Sequence, residues 1–122
     1  MTTRETGLIG EAKGLSYIKK HGYKVLARNF RTAFGEIDII AKDGRTLCFL
    51  EVKFRAGGSF GGPAEAVNRA KQLKIIKSAL QYIKANDFGK GSFRFDALLI
   101  GPDEKDVELI KNAFSSSGRY TL

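Results

Sequence analysis

The chain has 122 residues, enough for one domain that buries about two-thirds of its unfolded surface and holds a core without covalent staples. Its hydrophobic content of 43% and charged content of 28% are those of a globular protein, and its one cysteine, Cys48, excludes an internal disulfide framework and a cysteine-rich zinc site. Lysine and arginine number 21 against 13 acidic residues, a net charge of +8 that favours a polyanionic partner without deciding between DNA, RNA and an anionic lipid surface.

The opening Met-Thr-Thr-Arg-Glu-Thr has no apolar signal core, and no stretch approaches the length of a membrane span. A cytoplasmic protein with no membrane partner is expected. Gly7 to Lys20 is the first predicted helix: Leu8, Ala12, Leu15 and Ile18 recur at helical spacing, Thr6 can cap the start, and Gly22 follows the end. Glu11 borders this apolar stripe and can face a sheet packed on it. Tyr23 to Arg31, Glu36 to Lys42 and Thr46 to Phe54 alternate or run apolar with β-branched residues, which predicts a three-stranded antiparallel meander. The Gly-rich segment Ala56 to Pro63 is a connection, with Pro63 placed to start a second helix over about Ala64 to Ala85. On that helix Leu73, Ile76, Leu80 and Ile83 form one face and Lys71, Lys74, Lys77 and Lys84 another. Phe93 to Ile100 is a fourth strand, bearing Arg94 and Asp96 as a candidate buried pair. Asp106 to Phe114 is a short fifth strand, and Ser115 to Leu122 a mobile tail. The crossover between the third and fourth strands makes the sheet mixed. The whole is a single α/β domain, residues 1–122, with helices flanking a central sheet.

The chemistry concentrates at Glu51-Val52-Lys53, which closes the apolar run Leu47-Cys48-Phe49-Leu50. Residues two apart on a strand share a face, so Glu51 and Lys53 emerge together while Val52 points into apolar packing. Asp43-Gly44 is a strong hairpin signal, because both central positions of a type I′ turn require positive φ. With those two residues as the turn, Lys42 pairs with Arg45, Asp38 falls opposite Phe49, and Glu36 falls opposite Glu51. Asp38 then joins Glu51 and Lys53 on one face, diagonal to Glu51. Like charges opposed across strands are destabilising unless neutralised, and a divalent cation would neutralise them. Glu-x-Lys alone is a common surface pair. What sets this one apart is the neighbouring run, apolar on both faces, and the register that brings in Asp38; a three-residue loop or a bulge would flip that parity.

Asp on one strand and Glu-x-Lys on the next resembles the PD-(D/E)xK nuclease superfamily. The wider strings Gly-Glu-Ala-Lys-Gly (10–14), His-Gly-Tyr-Lys-Val-Leu-Ala-Arg-Asn (21–29), Gly-Glu-Ile-Asp (35–38) and Phe-Leu-Glu-Val-Lys-Phe-Arg (49–55) resemble the YraN family of small bacterial proteins over nearly the whole chain. One departure is Ile37, where the superfamily motif has proline. The resemblance implies a restriction-endonuclease-like αβββαβ core close to that of Holliday-junction resolvases, and a metal-dependent endonuclease acting on structured or branched DNA. On that footing Asp38 and Glu51, with the Val52 carbonyl, hold Mg²⁺ or Mn²⁺, and Lys53 positions the attacking water. Glu11 is either a further acidic ligand borne by a helix, as in resolvase-like relatives, or a solvated carboxylate near a helix N-terminus.

Arg28, Arg31, Arg55, Lys71 and Lys74 are the candidate phosphate contacts, although a lysine face on an amphipathic helix is usually its wet side. Phe34 and Phe60, lying in polar or Gly-rich turns, are the aromatics that invite a role in stacking on unpaired bases. The alternative reading is a non-catalytic nucleic-acid-binding module that retains the fold. A homodimer is expected of the nuclease, since two cuts in strands related by two-fold symmetry need two sites. Its candidate surface is an exposed sheet edge or Val107 to Phe114, whose Leu109, Ile110 and Phe114 could equally cover the monomer's own core.

Overall fold

A computed structural model describes residues 3–54, 68–86, 91–103 and 106–115. Arg55, the Gly-rich segment with Phe60 and Pro63, and all of the expected tail 115–122 except Ser115 lie outside them. Helix α1 (Thr3–Lys20) leads into the strands β1 (Tyr23–Arg31), β2 (Glu36–Asp43) and β3 (Thr46–Phe54). Helix α2 (Arg69–Ala85) crosses to β4 (Phe93–Ile100), and β5 (Val107–Phe114) closes the order. The five strands form one sheet in sequence order, antiparallel except for the parallel pair β3–β4. This is the mixed α/β sheet expected, consistent with a restriction-endonuclease-like αβββαβ core with one strand added.

Each face of the sheet carries its own core. Ile40, Leu47, Phe49, Phe95, Ala97 and Leu99 pack against Ile75, Ile76, Ala79 and Tyr82 of α2. Ile39, Ala41, Cys48, Leu50, Leu98 and Ile100 pack on the other side with Ile18 of α1. Gly14 lets α1 approach closely, since a Cβ there would press on the Leu98 and Ile100 side chains. Among the described residues, no helix is long and apolar enough to cross a membrane.

Several expectations need correction. The second helix starts at Arg69, because the side chain of Asn68 accepts the Lys71 N–H at 2.9 Å and caps it there. Its buried stripe is Ile75, Ile76, Ala79 and Tyr82, with Ile83 at the margin, whereas Leu80 is 45% exposed. The edge contacts of Tyr82 with Phe30 and Phe49 fix that rotation. The hairpin turn is Gly44-Arg45, with Asp43 paired to Thr46. Only Gly44 has positive φ, 64°, the pattern of a type II′ turn instead of type I′. Asp43 stays in the strand because its carboxylate is tied to Arg94 and Lys111 on the far side of β3. The apolar residues of β5 cover this chain's own cores: Phe114 stacks on Phe95 at 4.9 Å, and Ile110 and Leu109 pack on opposite faces. That is the alternative the sequence left open for this segment.

Candidate active site

The register moves by two residues, which keeps the parity of the β2–β3 pairing but changes who meets whom. The last rung of the β2–β3 ladder is Ile39–Leu50, so the next residues outward on the two strands are Asp38 and Glu51. Asp38 thus lies across from Glu51, not diagonal to it. Glu36, expected opposite Glu51, instead meets Arg31 of β1, 3.8 Å from its guanidinium. Beyond the last rung Asp38 Oδ2 accepts the Val52 N–H at 2.8 Å, a side chain completing the strand pairing. The alternation of β2 also slips here: Ile37 and Ile40 both face α2, while Ile39 and Ala41 face α1. Asn29, the residue of β1 opposite Asp38, adopts φ 52°.

Glu51 is only 2% exposed. Its Oε1 forms an ion pair with the ammonium of Lys71, from the first turn of α2. Its Oε2 is buried and, among the described residues, has no hydrogen-bond partner. Burial pushes the Glu51 carboxyl up to about 7, the neighbouring Asp38 charge adds to the rise, and Lys71 only partly offsets both. Asp38 is raised as well, chiefly by burial, against the Val52 N–H and the Lys71 charge. Burial lowers the Lys71 pKa, but Glu51, Asp38 and Glu36 outweigh it, so the net movement is upward. Two neighbouring carboxyls thus sit in one half-dry site beside Lys71.

The other expected residues divide. Lys53 is half-buried, on the Glu51 side of β3, and makes no ion pair among the described residues. Lys74 is exposed one turn along α2 from Lys71, its stem against Gly35. Arg31 is exposed at the end of β1. Arg28 pairs with Ile39, whose side chain faces α1, so it lies on the sheet face away from the acidic pair. Glu11 is half-buried on α1, which packs on that same far face, and the largest charge effects on Asp38 and Glu51 come from each other, Lys71 and Glu36. Lys71 was expected to contact phosphate; its place as counter-ion to Glu51 has no local signal in the sequence beyond its closeness to the helix start.

A second buried acid lies on the α1 side of the same sheet. Asp96, fully buried, accepts from Arg94 Nε and Asn112 N on Oδ1 and from Arg94 Nη2 and Tyr23 OH on Oδ2, all at 2.8–3.0 Å. Arg94 also reaches Asp43 Oδ2 at 2.9 Å, with Lys111 at 3.2 Å from the same oxygen. The Arg94 hydrogen bond holds Asp43 below the usual carboxylate range. Burial pushes the Cys48 thiol beside this network up to about 12, which leaves it a core residue and no nucleophile.

Comparison with known proteins places these residues in a family. The profile described as "Uncharacterised protein family UPF0102" matches residues 10–100. The chain belongs to the UPF0102 (YraN) family. It is 46% identical over 115 residues to a UPF0102 protein of Clostridium tetani, covering 91% of this chain and 94% of that one. A UPF0102 protein of Thermodesulfovibrio yellowstonii is 46% identical over 114 residues, with 93% and 99% covered. One from Desulfosudis oleivorans is 42% identical over 114 residues, with 93% of both covered. The UPF0102 match spans Asp38, Glu51, Lys53, Lys71 and Asp96 alike.

Proposed function

We propose that this chain is a metal-dependent endonuclease that hydrolyses phosphodiester bonds in structured or branched DNA. The observation that supports this most is the Asp38–Glu51 pair, two carboxyls held together with one buried oxygen, Glu51 Oε2, left without a partner among the described residues. Buried polar groups are normally satisfied, so an orphaned acid oxygen beside a second acid calls for a water, an ion or a catalytic role, and an ion suits both acids at once.

The donor set fits Mg²⁺ or Mn²⁺: hard carboxylate oxygens from Asp38 and Glu51 and the Val52 carbonyl would hold the ion. Such an ion, when bound, offsets charge on the scissile phosphate and acidifies water. The chain's own residues divide the remaining work. The Val52 N–H fixes the Asp38 carboxylate against β3. Lys53, on the same face as Glu51 and without an ion-pair partner among the described residues, orients the attacking water and steadies the phosphate oxygens. Lys71 balances the acids from α2. Lys74 and Arg31 offer exposed charge to neighbouring phosphates. A homodimer would supply the two sites that paired cuts require.

The second reading is a nucleic-acid-binding module that does no chemistry. The Lys71–Glu51 ion pair favours it, since an internal cation already balances the acid. Cleavage assays with Mg²⁺ and Mn²⁺ across junctions, flaps, nicks, linear duplexes and RNA separate the two. The nuclease cuts at least one branched DNA, and Lys53→Ala lowers turnover about a hundredfold while Mn²⁺ binding by calorimetry and DNA binding stay near wild type. A wild type that cuts nothing on the panel is the module.

A further inference from the structure

Phe34 stands in the short turn between β1 and β2 with 46% of its surface exposed. The turn that holds it is rigidly mounted. Thr32 Oγ1 accepts the N–H groups of Phe34 and Gly35 at 3.0 and 3.3 Å, and it hydrogen-bonds Ser78 Oγ of α2 at 2.7 Å. Ser78 is fully buried, so the turn is pinned to the helix from inside. Gly35, at φ 155°, brings the backbone against the Lys74 stem, where a Cβ would meet Lys74 Cβ at 3.4 Å. Lys77 lies over the Phe34 ring, its ammonium 5.6 Å from the centroid.

These contacts follow α2 turn by turn. Lys71 meets Glu51, Lys74 meets Gly35, and Lys77 meets Phe34, so the aromatic is about 9 Å along the helix axis from the acidic pair at 1.5 Å per residue. A phenyl ring left in water by a turn with no slack, flanked by lysines on a chain of net charge +8, has the make-up of a base-stacking platform. Cation–π contact explains where Lys77 rests, and the Thr32–Ser78 bond ties the backbone of the turn to α2.

We propose that Phe34 stacks on an unpaired base and that Lys74 and Lys77 hold the adjoining phosphates, so that the partner is nucleic acid with unpaired nucleotides next to a duplex. The proposal rests on the nucleic-acid part of the function proposed above and is independent of cleavage. Binding is measured in EDTA by fluorescence anisotropy, with a duplex carrying a single-stranded gap and a fully paired duplex of equal length. Wild type binds the gapped DNA more tightly. Phe34→Ala loses about tenfold on the gapped DNA and little on the paired duplex, and Phe34→Tyr, which keeps the stacking face, retains the preference. Lys77→Gln weakens both and lowers the salt slope by about one. Equal loss on both DNAs, or none, for Phe34→Ala with tight wild-type binding overturns the platform alone. A wild type that binds neither DNA overturns the nucleic-acid reading, and the platform with it.

Discussion

Two buried acids occupy opposite faces of one sheet, and they differ in how completely they are answered. Asp96 receives two hydrogen bonds on each oxygen, from Arg94, Tyr23 and the Asn112 backbone. Glu51 receives one lysine on one oxygen, nothing from the described residues on the other, and a second carboxyl for a neighbour. Burial does not tell them apart, since both are nearly inaccessible. Satisfaction does. A saturated acid is part of the framework, whereas an unsaturated one is kept at a cost to stability that folding alone does not explain.

The largest effect expected from this contrast is on the framework side. Asp96→Asn removes the charge that Arg94 and Tyr23 share, and should cost about 3–5 kcal/mol in urea unfolding, as breaking a buried ion pair does. A loss below about 1 kcal/mol would erase the distinction between the two acids.

Next comes the pH dependence. The Glu51 pKa lies above its unfolded value, so the stability of its neutral buried form is complete below about pH 4.5 and is lost as pH rises through about 7. At about 1.4 kcal/mol per pH unit this sets an upper bound of about 3 kcal/mol, and Asp38, also raised, acts with the same sign. Asp43 works the other way: its pKa is lowered, so its contribution is present above about pH 3.8 and fades as pH falls further. Glu51→Gln should therefore flatten the decline in urea midpoint between pH 4.5 and 7 and be more stable than wild type at pH 8. A Gln variant less stable than wild type at pH 8 would place Glu51 with the framework.

The smallest effect concerns Lys71. The Lys71 side chain is 46% exposed, and the buried Glu51 carboxyl can take up a proton once the cation is gone, so Lys71→Gln should change the unfolding free energy in urea by less than about 1 kcal/mol. Removing a cation beside the acids should also tighten Mn²⁺ binding by about two- to fivefold in calorimetry at pH 8. Weaker binding in this variant would mean that Lys71 supports the site by packing and not by charge.

The sheet was legible in the sequence because strand alternation and the crossover are local patterns: β1, β3 and β4 begin and end where the residues placed them. The β2–β3 register was not, because Asp43-Gly44 favours a turn locally while Arg94 and Lys111, distant in sequence, hold Asp43 in the strand. The shift spans two residues, so the parity of the β2–β3 pairing is kept and Asp38 still falls beside Glu51. The start of α2 depended on Asn68 capping Lys71, a preference that competes with Pro63 as a starting signal. The ion pair of Lys71 depends on where α2 lands on the sheet, which no spacing within the helix encodes. The slip of alternation at Asp38 likewise arises from strand pairing, beside a β1 asparagine with positive φ.

That asparagine has a counterpart at the other end of the sheet. Asn112 of β5 has φ 56°, and Lys111–Ala113 stand opposite the single residue Asp96, while β1 carries its own irregularity between Val25 and Ala27. Both outermost strands are thus kinked, and neither offers a straight row of free N–H and C=O groups for another strand to extend. The saturated Asp96 thereby has a second effect: by binding the Asn112 N–H it holds one rim of the sheet in a shape that resists open-ended sheet stacking and aggregation.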